Sequence, residues 1–190
     1  MEETRTRELV YSPAARRFHW WTVALVFIMI PLGFVMTYDG PAFKLPEAVS
    51  DRLYSIHKLL GFCVLWLVLA RLVYRFHHGA PKDEPSLELW QKAAAHATHW
   101  ALYALLIVVP FLGWLGVSLY GARDIFGPIA LPPLASVNQP LSEQVFAWHM
   151  RGAVLIALLV AAHIGAALFH YFIRKDGVLS RMLPGIDRRA

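Results

Sequence analysis

The chain has 190 residues, 57% of them apolar and 16% charged, with a mean hydropathy of +0.47; an average soluble domain is roughly 45–50% apolar and about 25% charged. That length fits a single domain over residues 1–190, and 13% aromatics with 12 Gly and 12 Pro fit neither a disordered nor a fibrous chain. The lone Cys63 excludes a disulfide framework, a zinc ribbon, an iron–sulfur cluster and a C-x-x-C-H haem attachment.

Four apolar stretches follow in chain order, at about residues 19–38, 54–74, 99–120 and 145–172. Each is near or above the roughly 20 residues that carry a helix across the hydrocarbon core of a bilayer. All 13 Asp and Glu lie outside them. A soluble bundle would carry a polar stripe on each helix; here the faces away from histidine are Leu, Val, Ile, Ala and Phe. The pattern predicts an all-α membrane protein, a four-transmembrane-helix bundle. The first stretch is too long for a cleaved signal peptide, and Tyr38-Asp39-Gly40-Pro41 is unlike a small-residue cleavage site. The chain is therefore expected to keep its start.

The connections differ in character. Residues 39–53 read as a short outer loop with Pro41 and Pro46, and residues 76–95 as a polar inner loop broken by Pro81 and Pro85. Residues 121–144 read as a longer outer loop containing Pro128, Pro132, Pro133 and Pro140. Its Ile125, Phe126, Ile129, Leu131 and Leu134 predict that it folds back over the bundle.

Lys and Arg outnumber Asp and Glu by 18 to 13, giving a net charge of +5 and a pI near 9.6. Most of the cations fall on one side. The N-terminal arm holds Arg5, Arg7, Arg16 and Arg17, the second connection Arg71, Arg75, Lys82 and Lys92, and the tail Arg174, Lys175, Arg181, Arg188 and Arg189. Only Lys44, Arg52, Lys58, Arg123 and Arg151 fall on the other. The richer side is expected to be cytoplasmic, so both termini face the cytoplasm of a bacterial inner membrane. Topology and lipid contact then account for the high pI, and no nucleic-acid partner is needed.

Histidine inside a membrane span is costly enough to imply a partner or a function, and the chain has nine. His149 and His163 share the last helix. Fourteen residues at about 100° and about 1.5 Å each return to within about 40° of the same face, about 21 Å further along. The first helix starts inside, placing His19 near the cytoplasmic face, and the second starts outside, placing His57 near the periplasmic face. Depth therefore pairs His57 with His149 and His19 with His163.

Two opposed imidazoles without a carboxylate do not suit a di-iron centre, which needs buried Glu, or catalytic zinc, which takes three protein ligands. They suit a b-type haem, whose macrocycle supplies the other four bonds. Two haem b groups are expected, one on His57 and His149 and one on His19 and His163. Gly61, Gly152 and Gly165 follow ligands closely, and Gly113 and Gly116 thin the third helix, as a slot for a flat group requires. Lys58 and Arg151 adjoin the outer pair as candidate anion or propionate contacts, while Arg16 and Arg17 precede His19. The alternative is that these histidines are helix–helix hydrogen bonds.

Several local motifs resemble the prokaryotic cytochrome b561 family. They are His19-Trp20-Trp21, Ser55-Ile56-His57-Lys58-Leu59-Leu60-Gly61, Ala95-His96-Ala97-Thr98-His99, Trp148-His149 with His163, and His170-Tyr171-Phe172 running through Lys175-Asp176 to Arg181-Met182-Leu183-Pro184. The resemblance covers about Tyr11 to Pro184. It implies a four-helix inner-membrane dihaem protein with His19, His57, His149 and His163 as axial ligands, in a family whose members exchange electrons with the quinone pool. One branch oxidises superoxide at the outer face and reduces ubiquinone. Cytochrome subunits of hydrogenases and formate dehydrogenases are more distant relatives.

On this reading an anionic donor such as superoxide is drawn to Lys58 and Arg151, with Arg52 and Arg123 nearby, and electrons pass inward to ubiquinone beside His170. His96 and His99 are candidates for a propionate or quinone contact, and His99 competes with His19 as a ligand. His77 and His78 are left in the inner loop without a role. Trp20, Trp21, Trp90, Trp100 and Trp148 read mainly as an interface belt, Trp148 also as packing for the outer porphyrin. A cytochrome subunit serving a periplasmic redox protein is the alternative within electron transfer. A haem-free scaffold or transporter is the alternative outside it, although no inverted repeat or broken helix is visible.

Overall fold

The computed structural model describes residues 10–37 and 45–186; Arg5, Arg7, Tyr38, Asp39, Gly40, Pro41, Lys44, Arg188 and Arg189 lie outside them. Four long helices, α1 (Pro13–Thr37), α2 (Glu47–His78), α3 (Leu89–Tyr120) and α4 (Gln139–Phe169), are each long and apolar enough to cross a membrane. They overrun the apolar stretches because only the lipid-embedded part of a helix must be apolar, while its ends continue into the headgroup region. His77 and His78 are accordingly the last turn of α2 rather than loop residues, and the His78 ring stacks on Tyr74 at 4.0 Å. Gly79, at φ 71°, ends that helix. A capping box between Glu88 and Gln91 starts α3, and the Asn138 side chain accepts from Leu141 N–H at the start of α4.

The bundle is layered at seven-residue intervals, two helical turns, so that each helix returns the same face to the interior at three depths. The middle layer is apolar: Val26, Val64, Val68, Leu106 and Ile156 are buried in one cluster to which every helix contributes. Seven residues from Val26, Val64, Leu106 and Ile156 lie His19, Arg71, His99 and His163 toward the end carrying both termini, and Gly33, His57, Gly113 and His149 toward the other. Large apolar side chains such as Trp21, Phe27, Trp66 and Leu158 are exposed outward, the arrangement expected where the solvent is lipid.

The outer connection after α3 is not purely irregular. Strands β1 (Asp124–Phe126) and β2 (Ile129–Ala130) form a short antiparallel hairpin, with Gly127 at φ 54° supplying the left-handed residue that its turn requires. This small sheet is confined to the connection and leaves the all-α bundle as expected. The hairpin packs on α2 and buries Ile125 and Leu131, as a loop folded back over the bundle should. It is fastened by Lys58, which donates to the carbonyls of Ala122 and Asp124, by Arg123 to Leu131 O at 2.7 Å, and by Trp114 Nε1 to Pro132 O at 2.9 Å.

At the other end α4 runs into a π turn, His170–Arg174, and the chain doubles back through a 3₁₀ turn, Leu179–Arg181. Tyr11 N–H reaches Arg181 O at 3.4 Å, Trp20 Nε1 donates to Met182 O at 3.2 Å, and Arg181 donates to Lys82 O. The start of α1 and the C-terminal segment thus share one face, as four crossings demand.

Candidate functional site

The interior histidines meet in two pairs at opposite depths. The ring centres of His57 and His149 are 6.0 Å apart, and those of His19 and His163 are 6.3 Å apart. Two imidazole nitrogens bonded to one metal at about 2 Å each, with about 1 Å more from each nitrogen to its ring centre, give a separation of about 6 Å. Both pairs therefore stand at the spacing of opposed ligands. Among the described residues no cluster of three or more His, Cys, Asp or Glu forms a site for a bare metal ion. A group that brings its own equatorial ligands, as a porphyrin does, matches this donor set.

The outer pair has a seat built from backbone. His149 Nδ1 lies 2.8 Å from the carbonyl oxygen of Val109. Because that oxygen can only accept, the Nδ1 proton is fixed and Nε2 keeps its lone pair, the tautomer a metal ligand needs. Gly113 lies one turn beyond Val109, and a Cβ there would sit 3.0 Å from His149 Cε1 and 3.1 Å from Nδ1. A Cβ at Gly33 would lie 3.4 Å from His57 Cε1. Glycine on α3 is what lets the His149 ring lie so close to helix backbone, whereas a Cβ at Gly33 would make ordinary contact with His57. His57 Nδ1 is buried with no hydrogen-bond partner among the described residues, which a binding site tolerates better than a structural contact would.

The other expected glycines act differently. Gly152 faces Val109, and Gly116 faces Phe146, so both serve the close approach of α3 and α4; Gly61 touches Met29, and the space beside Gly165 is open. Gly33 escaped sequence reading because it is far from any histidine in the chain.

The inner pair is surrounded by cations and a third imidazole. Arg71 Nη2 donates to His19 Nδ1 at 3.3 Å, and the Arg71 guanidinium lies 5.2 Å from the Tyr103 ring centre. Arg75 lies 5.8 Å from the same ring and 5.6 Å from Trp100. Neither arginine pairs with a carboxylate among the described residues. His99 stands 5.3 Å from His163 and so joins this cluster. Its neighbour His96 turns away to Asp83, at 3.1 Å. Arg71 had looked like one more topogenic arginine, since nothing in its spacing distinguishes it from Arg75.

Of the remaining expected residues, His170 is buried, with Nδ1 2.6 Å from Asp176 Oδ2. Arg151 lies over the Trp148 ring at 4.8 Å, on the exposed outer surface. Lys58 is drawn into the hairpin contacts already described. Arg16 and Arg17 line a groove beside Met182 and Leu183.

These features define a membrane-spanning helical bundle with two internal histidine pairs, the architecture of a transmembrane haem protein. The chain belongs to the prokaryotic cytochrome b561 family, whose profile matches residues 10–185. It is 30% identical to cytochrome b561 homolog 1 of Escherichia coli (strain K12) over 178 residues, 92% of this chain and 97% of that protein. It is 31% identical to cytochrome b561 homolog 2 of the same organism, over 96% of this chain and 95% of that protein. Similarity to the probable superoxide oxidase CybB of Yersinia pestis is 27% over 73% of this chain and 79% of that protein. Membership makes the chain a multi-pass inner-membrane electron-transfer protein and implies b-type haem binding.

Proposed function

We propose that this chain carries electrons across the membrane from a periplasmic donor, superoxide, to ubiquinone on the cytoplasmic side, using two haem b groups. His57 and His149 hold the outer one, and His19 and His163 the inner one. When bound, the haems would supply one-electron redox centres. The observation that carries this reading is the two imidazole pairs, 6.0 and 6.3 Å across, at opposite ends of one apolar core.

The protein's own side chains have three tasks. Val109 and Gly113 set the His149 ring, and Arg71 and Arg75 place positive charge beside the inner pair. Arg151, over Trp148, and Lys58, at the hairpin carbonyls, give the outer face a positive potential that raises the encounter rate of a small anion. Each superoxide gives up one electron and leaves as dioxygen; two electrons and two protons turn the quinone into quinol. His170, whose Nδ1 donates to Asp176, keeps a lone pair on Nε2 that can accept from a quinol hydroxyl.

Purified, haem-loaded protein is expected to reduce a ubiquinone analogue when supplied with superoxide. If neither superoxide nor quinone alters the absorbance of the reduced or oxidised haem, the assignment fails. A protein donor in place of superoxide is favoured by one observation: Ile129, Val137 and Trp148, each at least 60% exposed, lie on or beside the outer loop. Copurification of a periplasmic redox protein would select that reading.

A further inference from the structure

We propose that the groove between the start of α1 and the C-terminal segment binds one anionic phospholipid of the cytoplasmic leaflet. Its phosphate would sit on Arg16 and Arg17, with an acyl chain running past Trp21 between α1 and α2.

The groove is open, with a volume of about 780 Å³, and is lined by Arg16, Arg17, Trp20, Ala24, Met182 and Leu183. Trp20 Nε1 donates to Met182 O at 3.2 Å, so the C-terminal wall is fastened to α1 rather than loosely apposed. A second groove, of about 560 Å³, is lined by Leu25, Phe62, Trp66 and Leu67 with almost no polar surface, and it shares Trp21 with the first. A cationic groove and an apolar one thus adjoin at Trp21 on the membrane-facing side of the bundle. That is the shape of an amphiphile with one charged end.

Charge decides which amphiphile. Arg16 Nε is buried without a hydrogen-bond partner, and neither arginine has a carboxylate partner among the described residues. Among the described residues no acidic side chain lines either groove. The first turn of α1 also lacks an acidic residue, so its positive dipole end adds to the same potential. A neutral quinone would leave two guanidinium groups uncompensated, whereas a phosphodiester accepts from both. Basic pockets at the cytoplasmic ends of membrane helices select anionic headgroups for this reason. Arg16 lies one turn before His19, so the bound lipid would brace α1 beside the inner histidine pair. The proposal stands independently of the redox reading.

The test is native mass spectrometry of the delipidated, full-length protein with phosphatidylglycerol and with phosphatidylcholine of the same acyl chains. Retention of one phosphatidylglycerol, at least about tenfold tighter than phosphatidylcholine, is expected. The double substitution Arg16→Gln with Arg17→Gln should weaken retention about thirtyfold. Ala24→Trp should weaken it by filling the groove at unchanged charge, with helical circular dichroism confirming the fold of each variant. Equal retention of the two lipids would overturn the proposal, as would wild-type retention by the folded double variant or by Ala24→Trp. Displacement by ubiquinone would reassign the groove to the quinone, and displacement by millimolar inorganic phosphate would reduce it to an anion site without a lipid role. Should the double variant fail to fold, the comparison of the two lipids on the wild type and Ala24→Trp decides.

Discussion

Replacing His163 with alanine is expected to lower haem content from two per chain to one, with the outer haem retained. The inner pair loses one of its two imidazoles, and the remaining His19 is left with no opposing ring at 6.3 Å. The outer pair lies fourteen residues away on α4, about 21 Å along the helix, with Ile156 and the buried valines between. Sites so far apart without shared partners behave independently. A pyridine haemochrome assay with a reduced-minus-oxidised spectrum reads the result directly. Free imidazole should restore the missing spectral component by occupying the vacated position. His99→Ala is the necessary companion. If the ring 5.3 Å from His163 is a neighbour rather than a ligand, that variant keeps both haems. Loss of both haems from His163→Ala, or of neither, would refute the pairing.

The second large effect is expected at a residue with no chemistry of its own. Gly113→Leu should empty the outer site while leaving the inner haem in place. The first added carbon falls 3.0 Å from His149 Cε1 and 3.1 Å from Nδ1, and the ring cannot retreat without giving up its 2.8 Å bond to Val109 O. Overpacking costs about 1–3 kcal/mol, and a buried donor left without its acceptor costs about 1–3 kcal/mol more. Together these lower haem affinity by between about thirtyfold and about twenty-thousandfold. Gly113→Ala, with only the first carbon, should fall between the two. A Gly113→Leu protein that retains both haems with an unchanged spectrum would show that the His149 ring is not seated on α3.

Much of this architecture was legible in the sequence, and the reasons are physical. A bilayer forbids unpaired charge over about 20 residues, so the four spans stand out, and helix direction alternates, so His57 and His149 must share a depth. What depth cannot reveal is which lateral neighbour faces a ring. Gly33 and Gly113 act on histidines of other helices, and only packing brings them together. Arg71 was hidden for the opposite reason: an arginine near the end of an apolar stretch has the same appearance whether it points to lipid headgroups or into the bundle. The hairpin at Asp124–Ala130 is too short to show a strand period. The extension of α2 through His78 was missed because polarity marks where the membrane stops, not where the helix does.

The contact between Arg71 and His19 makes the two ends of the bundle unequal. A neutral imidazole has one lone pair on nitrogen to give. At His149 the backbone has already taken the proton side of the ring, so the lone pair stands free. At His19 a guanidinium, which can only donate, occupies the lone pair on Nδ1 and leaves the hydrogen on Nε2. The same residue type therefore stands in two tautomers, carbonyl-anchored at one end of the bundle and guanidinium-anchored at the other, which gives the span a built-in electrical asymmetry.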